Sequence, residues 1–141
     1  MFVLDTNVVS EFIKPRPDPG VMSWLVSAPR QTLLLPSVVV AELYFGVERL
    51  PEGKKRDALM AFADTFVAAG GPEGVLPFTE TEARAYARIG AEMQRAGRRM
   101  ATADAQIAAT AFVRDLPIVT RKVRDFDQCG VTIINPWTAT A

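Results

Sequence analysis

Five short apolar stretches, at residues 2–4, 32–35, 75–78, 117–119 and 131–134, are separated by longer segments with helical character. Strands that are apolar along their whole length, instead of alternating with polar residues, are buried on both faces. Parallel neighbours need a crossover between them, most often a helix. The alternation therefore predicts an α/β fold: a mainly parallel sheet of about five strands, with helices on both sides. The expected helices cover residues 7–13, 20–28, 37–50, 54–69, 80–97 and 103–114. The first is stopped by Lys14-Pro15, and the second is capped by Asp18 with Pro19 at its first position. Leu59, Met60, Phe62, Ala63, Phe66 and Val67 fall at helical spacing in the fourth. Thr79 and Glu82 make a capping box, and Thr102 is the expected cap of the last helix. No repeat, low-complexity tract or long linker divides residues 1–141, so a single domain is expected, long enough to bury a core.

Charge and residue usage narrow the chemistry. Sixteen basic and sixteen acidic residues cancel, so polyanion binding has to come from local patches. Arginine outnumbers lysine twelve to four, which favours fork-like contacts with phosphate or carboxylate. The single cysteine, Cys129, excludes an internal disulfide and a cysteine zinc cluster, and fits a reducing compartment. No apolar run is long enough to span a membrane, and Asp5 interrupts any signal-peptide pattern, so a cytoplasmic location is expected. The chain has no histidine. That removes the Ser-His-Asp triad, imidazole acid–base chemistry and the HExxH zinc helix.

Four carboxylates stand in apolar or sharply turning surroundings: Asp5, Glu42, Asp104 and Asp125. Asp5 ends the run Met1-Phe2-Val3-Leu4 and precedes Thr6-Asn7. Glu42 lies in the apolar stretch from Val38 to Phe45. Asp104 opens a helix of small apolar residues, and Asp125 follows the fourth strand. Each also has an ordinary reading. Asp5 can cap a helix, Glu42 can face solvent, Asp104 can complement a helix dipole, and Asp125 can be a solvated loop residue. Asp127 is an equally charged neighbour, and spacing does not choose between it and Asp125. In a parallel sheet the strand carboxyl ends gather ligands, and Asp5 and Thr120 are expected there. Oxygen-only ligands in such a cluster point to Mg²⁺ or Mn²⁺, which can activate water and steady the leaving oxygen in phosphodiester hydrolysis.

Four stretches together resemble the PIN domain, and within it the VapC-type toxins of type II toxin–antitoxin pairs. They are Leu4-Asp5-Thr6-Asn7-Val8-Val9-Ser10-Glu11, Pro36-Ser37-Val38-Val39-Val40-Ala41-Glu42-Leu43, Ala103-Asp104-Ala105-Gln106-Ile107-Ala108-Ala109 and Val119-Thr120-Arg121-Lys122-Val123-Arg124-Asp125-Phe126. The ending Ile134-Asn135-Pro136-Trp137 is similar to one branch of that family. The resemblance implies a three-layer α/β/α sandwich and a Mg²⁺- or Mn²⁺-dependent endoribonuclease. It assigns catalysis and metal binding to Asp5, Glu42, Asp104 and Asp125, with Thr6 and Thr120 holding carboxylates or water. It also implies a homodimer and a cognate antitoxin filling the active-site groove, with operator DNA bound only through that antitoxin.

One position departs from the family pattern: Lys122 stands where Asn is usual, three residues before Asp125. An ammonium there can replace one metal, orient the scissile phosphate or weaken metal binding. It is also the one sequence feature favouring a catalytically impaired module that binds RNA or a partner without cutting. Arg98, Arg99, Arg121 and Arg124 are the expected RNA contacts; Arg95 and the cluster Lys54-Lys55-Arg56 are further basic candidates. Trp24, Trp137, Leu43, Tyr44, Phe45 and Val47 are candidates for core or interface. A phospho-acceptor receiver domain would need an acidic pair after the first strand, and a dehalogenase-type phosphatase a second Asp at Asn7. Both fit poorly.

Overall fold

The computed structural model describes residues 1–138. Five strands, β1 (Phe2–Leu4), β2 (Leu33–Pro36), β3 (Val75–Leu76), β4 (Ile118–Val119) and β5 (Ile133–Ile134), form one sheet in the order β3-β2-β1-β4-β5. Every pairing is parallel, with Val3 opposite both Leu34 and Ile118. Among the described residues seven helices flank this sheet: α1 (Thr6–Val9), α2 (Pro19–Ser27), α3 (Ser37–Glu48), α4 (Lys54–Ala68), α5 (Glu80–Arg95), α6 (Thr102–Phe112) and α7 (Val123–Phe126). The fold is the expected α/β/α sandwich.

Burial explains why the strands carry no alternation. Val3, Leu4, Leu35, Ile118 and Val119 are wholly shielded, because helices cover both faces of the central strands. The chain builds the sheet outward from β1 in one direction through β2 and β3, then crosses to the other side for β4 and β5. The reversal lies between β1 and β4. In open parallel sheets a crevice forms at the strand carboxyl ends at such a point. Asp5 follows β1 there, and Thr120 follows β4.

Several boundaries differ from the sequence expectation. The helix expected over 7–13 is a single α turn, tightening into a 3-10 segment at Ser10–Ile13. Ser10 Oγ donates to the Thr6 carbonyl at 2.9 Å, offering the backbone a local alternative to a continued helix. Glu11 is drawn inward, where it accepts hydrogen bonds from the Lys14 ammonium and the Asp18 amide. Thr102 is not a cap: Ala101 holds that position without a side-chain bond, and Thr102 is the first helical residue. That helix ends two residues early, because Asp115 turns left-handed (φ 52°) and Leu116 N–H closes onto the Ala111 carbonyl at 3.1 Å. The capping box at Thr79 and Glu82 is present. Helix α5 ends at Arg95, two residues before the expected Gly97, whose φ of 73° lets Arg98 N–H reach back to the Met93 carbonyl. Strands β3, β4 and β5 span only two residues each, shorter than the apolar runs that contain them.

Candidate active site

Asp5 is fixed from both sides of the switch point. Its N–H donates to the Val119 carbonyl at 3.0 Å, so β4 holds the backbone where β1 ends. Its side chain caps α1, accepting from Thr6 N–H at 2.7 Å on Oδ1. Oδ2 accepts from Asn7 Nδ2 at 2.8 Å and from the Thr120 hydroxyl at 2.7 Å. Only 2% of the residue is exposed. Burial raises the Asp5 pKa above its usual 3.8; the Thr120 hydrogen bond and the Lys122 charge oppose this without cancelling it.

Thr120 is a hub. Its buried hydroxyl donates to Asp5 and accepts from the Lys122 N–H at 2.9 Å and from Asn7 Nδ2 at 3.3 Å. Lys122 in turn extends Nζ to Asp104 Oδ1 at 3.2 Å. Asp104 lies in the first turn of α6, 5% exposed. Burial works against the Lys122 charge, but Asp104, Asp5 and Asp125 outweigh it and raise the ammonium pKa above 10.5. The chain thus brings Asp5 and Asp104 into one electrostatic cluster, with Lys122 bonded to Asp104 and acting on Asp5 through its charge.

The other two acids stand further out. Glu42, exposed on α3, accepts from the Thr6 hydroxyl at 2.9 Å, so Thr6 links it to Asp5 through its own N–H. Asp125, exposed in the first turn of α7, acts on Lys122 through its charge. Asp127 faces elsewhere and pairs with Arg98 at 3.4 Å. Among the described residues no three histidine, cysteine or carboxylate groups form a ready-made metal cage. The donors are nevertheless all oxygen, and Mg²⁺ commonly takes one or two carboxylates while water or phosphate completes its shell. Asp5 and Asp104 fit that mode, and an ammonium already stands beside them.

The arginines divide into two groups. Arg98 is engaged in structure, its guanidinium bonded to the Arg124 carbonyl and to Asp127, clipping the start of α6 to α7. Arg121 lies over the Trp137 ring, 5.5 Å from its centroid. Arg99 and Arg124 are exposed. A cavity of about 540 Å³ beside α5 and α6 is lined by Tyr86, Gln94, Arg98, Arg99 and Ala105, next in sequence to Asp104. A larger one, about 890 Å³, lies away from these acids, with Met1, Gln31, Glu73 and Leu116 on its walls. Its position near the amino ends of the strands does not suit the ligand geometry of a parallel sheet. Leu43 and Val47 are core residues and Trp24 packs edge-on against Phe2, whereas Phe45 is 68% exposed. No helix among the described residues is long and apolar enough to cross a membrane.

Sequence reasoning passed over Asn7. Its amide donates to Asp5 and Thr120, and its carbonyl oxygen accepts from Arg121 N–H at 3.3 Å, joining both sides of the crevice. The signal is a second polar side chain two residues beyond an acid at a buried strand end, where hydrophobic patterning marks only the start of a helix.

Residues 2–130 match the PIN domain family. VapC ribonuclease Y4jK of Sinorhizobium fredii is 39% identical over 137 residues, covering 97% of this chain and 98% of the relative. Toxin FitB of Neisseria gonorrhoeae is 37% identical over 137 residues, covering 97% and 99%. The crystal structure of FitAcB from Neisseria gonorrhoeae superposes with a TM-score of 0.93 at 36% identity, over 99% of this chain and 100% of that one. The structure of FitAB bound to an IR36 DNA fragment gives 0.94 at 35%, over 100% and 99%. By the extent of these matches and by the sandwich fold that it shares with them, the chain belongs to the PIN-domain family.

Proposed function

We propose that this protein is a toxin endoribonuclease, dependent on Mg²⁺ or Mn²⁺ and restrained by a cognate antitoxin. The observation that carries the reading is the convergence of buried Asp5 and Asp104 at the sheet's switch point, in a chain so similar to a VapC ribonuclease. Asp5 and Asp104 would hold the divalent ion, with Glu42 and Asp125 at the rim of the same mouth. When bound, that ion supplies a Lewis acid that activates water and neutralises charge on the phosphodiester. Thr120, Thr6 and Asn7 hold the carboxylates in place, which limits the reorganisation needed when substrate arrives. Arg99, Arg121 and Arg124 offer positive ground beside the mouth for the RNA backbone, while Arg98 mainly shapes it.

The partner readings follow the same relatives. FitAB is a complex that binds DNA, which supports an antitoxin partner here and operator binding through that partner. Exposed Phe45 on α3 supports a protein interface on that helix, within a homodimer or against the antitoxin. A cytoplasmic location goes with an RNA substrate.

The deciding experiment is cleavage of total RNA by purified protein with Mn²⁺, with Mg²⁺ and with chelator. Wild type should cut only with metal. Asp5→Asn and Asp104→Asn should each lose at least about a hundredfold in rate, and Thr120→Val about ten- to a hundredfold. RNA that is bound but uncut in either metal would overturn the nuclease reading and favour a binding module neutralised by Lys122.

A further inference from the structure

We infer that Lys122 is a tethered cation of the carboxylate cluster, competing with the divalent ion for Asp104 and passing its ammonium to the phosphodiester when RNA binds. The inference rests on the metal-nuclease reading and adds a residue that couples the two ligands.

Geometry aims this side chain with little freedom at its root. The Lys122 N–H is held by the Thr120 hydroxyl, the same group that holds Asp5. Its carbonyl accepts from Asp125 and Phe126 N–H at 3.1 and 3.3 Å, anchoring the start of α7. From that fixed base Nζ reaches Asp104 Oδ1, while the side chain stays 46% exposed. The ammonium therefore sits at the mouth of the cluster, not in the core. The lysine end of the pair is half-exposed although Asp104 is buried, so solvent screens the pair and its contribution to folding is modest.

Asp104 Oδ1 cannot serve both cations freely. A divalent ion on that oxygen would stand within a few ångströms of an ammonium hydrogen-bonded to it, and like charges at that range repel strongly in a half-desolvated site. Loading the ion displaces Nζ. A phosphate oxygen is the natural replacement partner, because an ammonium binds phosphate as a compact point charge. RNA that draws Lys122 away from Asp104 opens the metal position, and the ion that displaces Lys122 frees it for RNA. Such coupling is reciprocal by thermodynamic necessity.

Two measurements on the full chain test this. Mn²⁺ titration by calorimetry compares wild type with Lys122→Met and Lys122→Gln, which should fold cooperatively and melt only slightly below wild type, since they leave two buried acids less compensated. Both variants should bind Mn²⁺ at least about tenfold more tightly. Anisotropy of a labelled mixed-sequence RNA oligonucleotide, in chelator and over a salt series, should show the logarithmic slope shallower by about 0.7 in both variants. Equal Mn²⁺ affinity in all three proteins would overturn the competition, and an unchanged salt slope would overturn the phosphate role. If no protein bound Mn²⁺ at all, the metal reading itself would fall, and this inference with it.

Discussion

Glu82 and Asp5 are both nearly buried acids, yet their ionisation moves in opposite directions. Burial opposes the charge on each. At Glu82 it is outweighed by the Thr79 hydroxyl and amide and by the Arg114 guanidinium at 2.9 Å, and the pKa falls to about 2. Ionised Glu82 thus adds stability that is complete above about 4.5 and disappears as pH falls toward about 2. Glu82→Gln should cost about 2 kcal/mol at neutral pH by urea denaturation, with the deficit shrinking through that acid window. Asp5 has no full counter-charge, so its raised pKa means that its ionised form subtracts stability once pH rises above the usual 3.8. Without metal, Asp5→Asn sheds that penalty but sets an amide NH₂ against one of the donors that Asp5 accepts from. The two effects oppose, so its melting point at pH 7 should stay close to wild type, while cleavage is lost. A scanning calorimeter with chelator present checks this, and a clearly lower melting point would refute it. The two acids differ in how legible they are. Glu82 announces its partner by the capping-box spacing from Thr79. The fate of Asp5 depends on Thr120, which lies 115 residues away.

At the level of elements, the junction of α4 and β3 brings backbone into very close approach. A Cβ at Gly74 would lie 2.6 Å from the Gly70 backbone, and the Gly74 carbonyl accepts from Leu35 N–H at 2.8 Å to join β2. Arg30 closes the same corner, bonded to the Leu33 carbonyl and, at 2.7 Å, to the Phe66 carbonyl, with its guanidinium over the Phe66 ring. Gly74→Ala should destabilise the fold by about 1–3 kcal/mol, because backbone and not a flexible side chain must yield. A chemical denaturation midpoint equal to wild type would contradict this contact. The order of elements was readable from apolar runs and their spacing; several ends were not. Thr102 looks like a cap in sequence, but Ala101 takes the position and leaves Thr102 inside the first turn. The early narrowing after Val9 depends on Ser10 and on an inward Glu11, contacts that hydrophobic periodicity does not report.

Over the whole molecule, the sandwich concentrates negative charge at one end of the sheet, where among the described residues Lys122 is the one cation that reaches the two buried acids. A divalent ion that binds there only in the folded state should raise the unfolding free energy, by about 2.7 kcal/mol at a hundred times its Kd. The rise should vanish in Asp5→Asn, and thermal melts with and without Mn²⁺ measure it. Asp5 and Asp104 were readable as candidates from local sequence. The hub at Thr120, the bridging amide of Asn7 and the diversion of Asp127 to Arg98 required the three-dimensional arrangement. The strand order has a further effect, on timing. The central strand β1 is made before β2, but its other neighbour, β4, comes more than a hundred residues later. A growing chain therefore carries Asp5 long before Thr120, Lys122 or Asp104 exists to meet it. The pocket assembles only after residues 104–122 have emerged, so a ribosome-bound fragment ending before α6 has the motif and none of its chemistry.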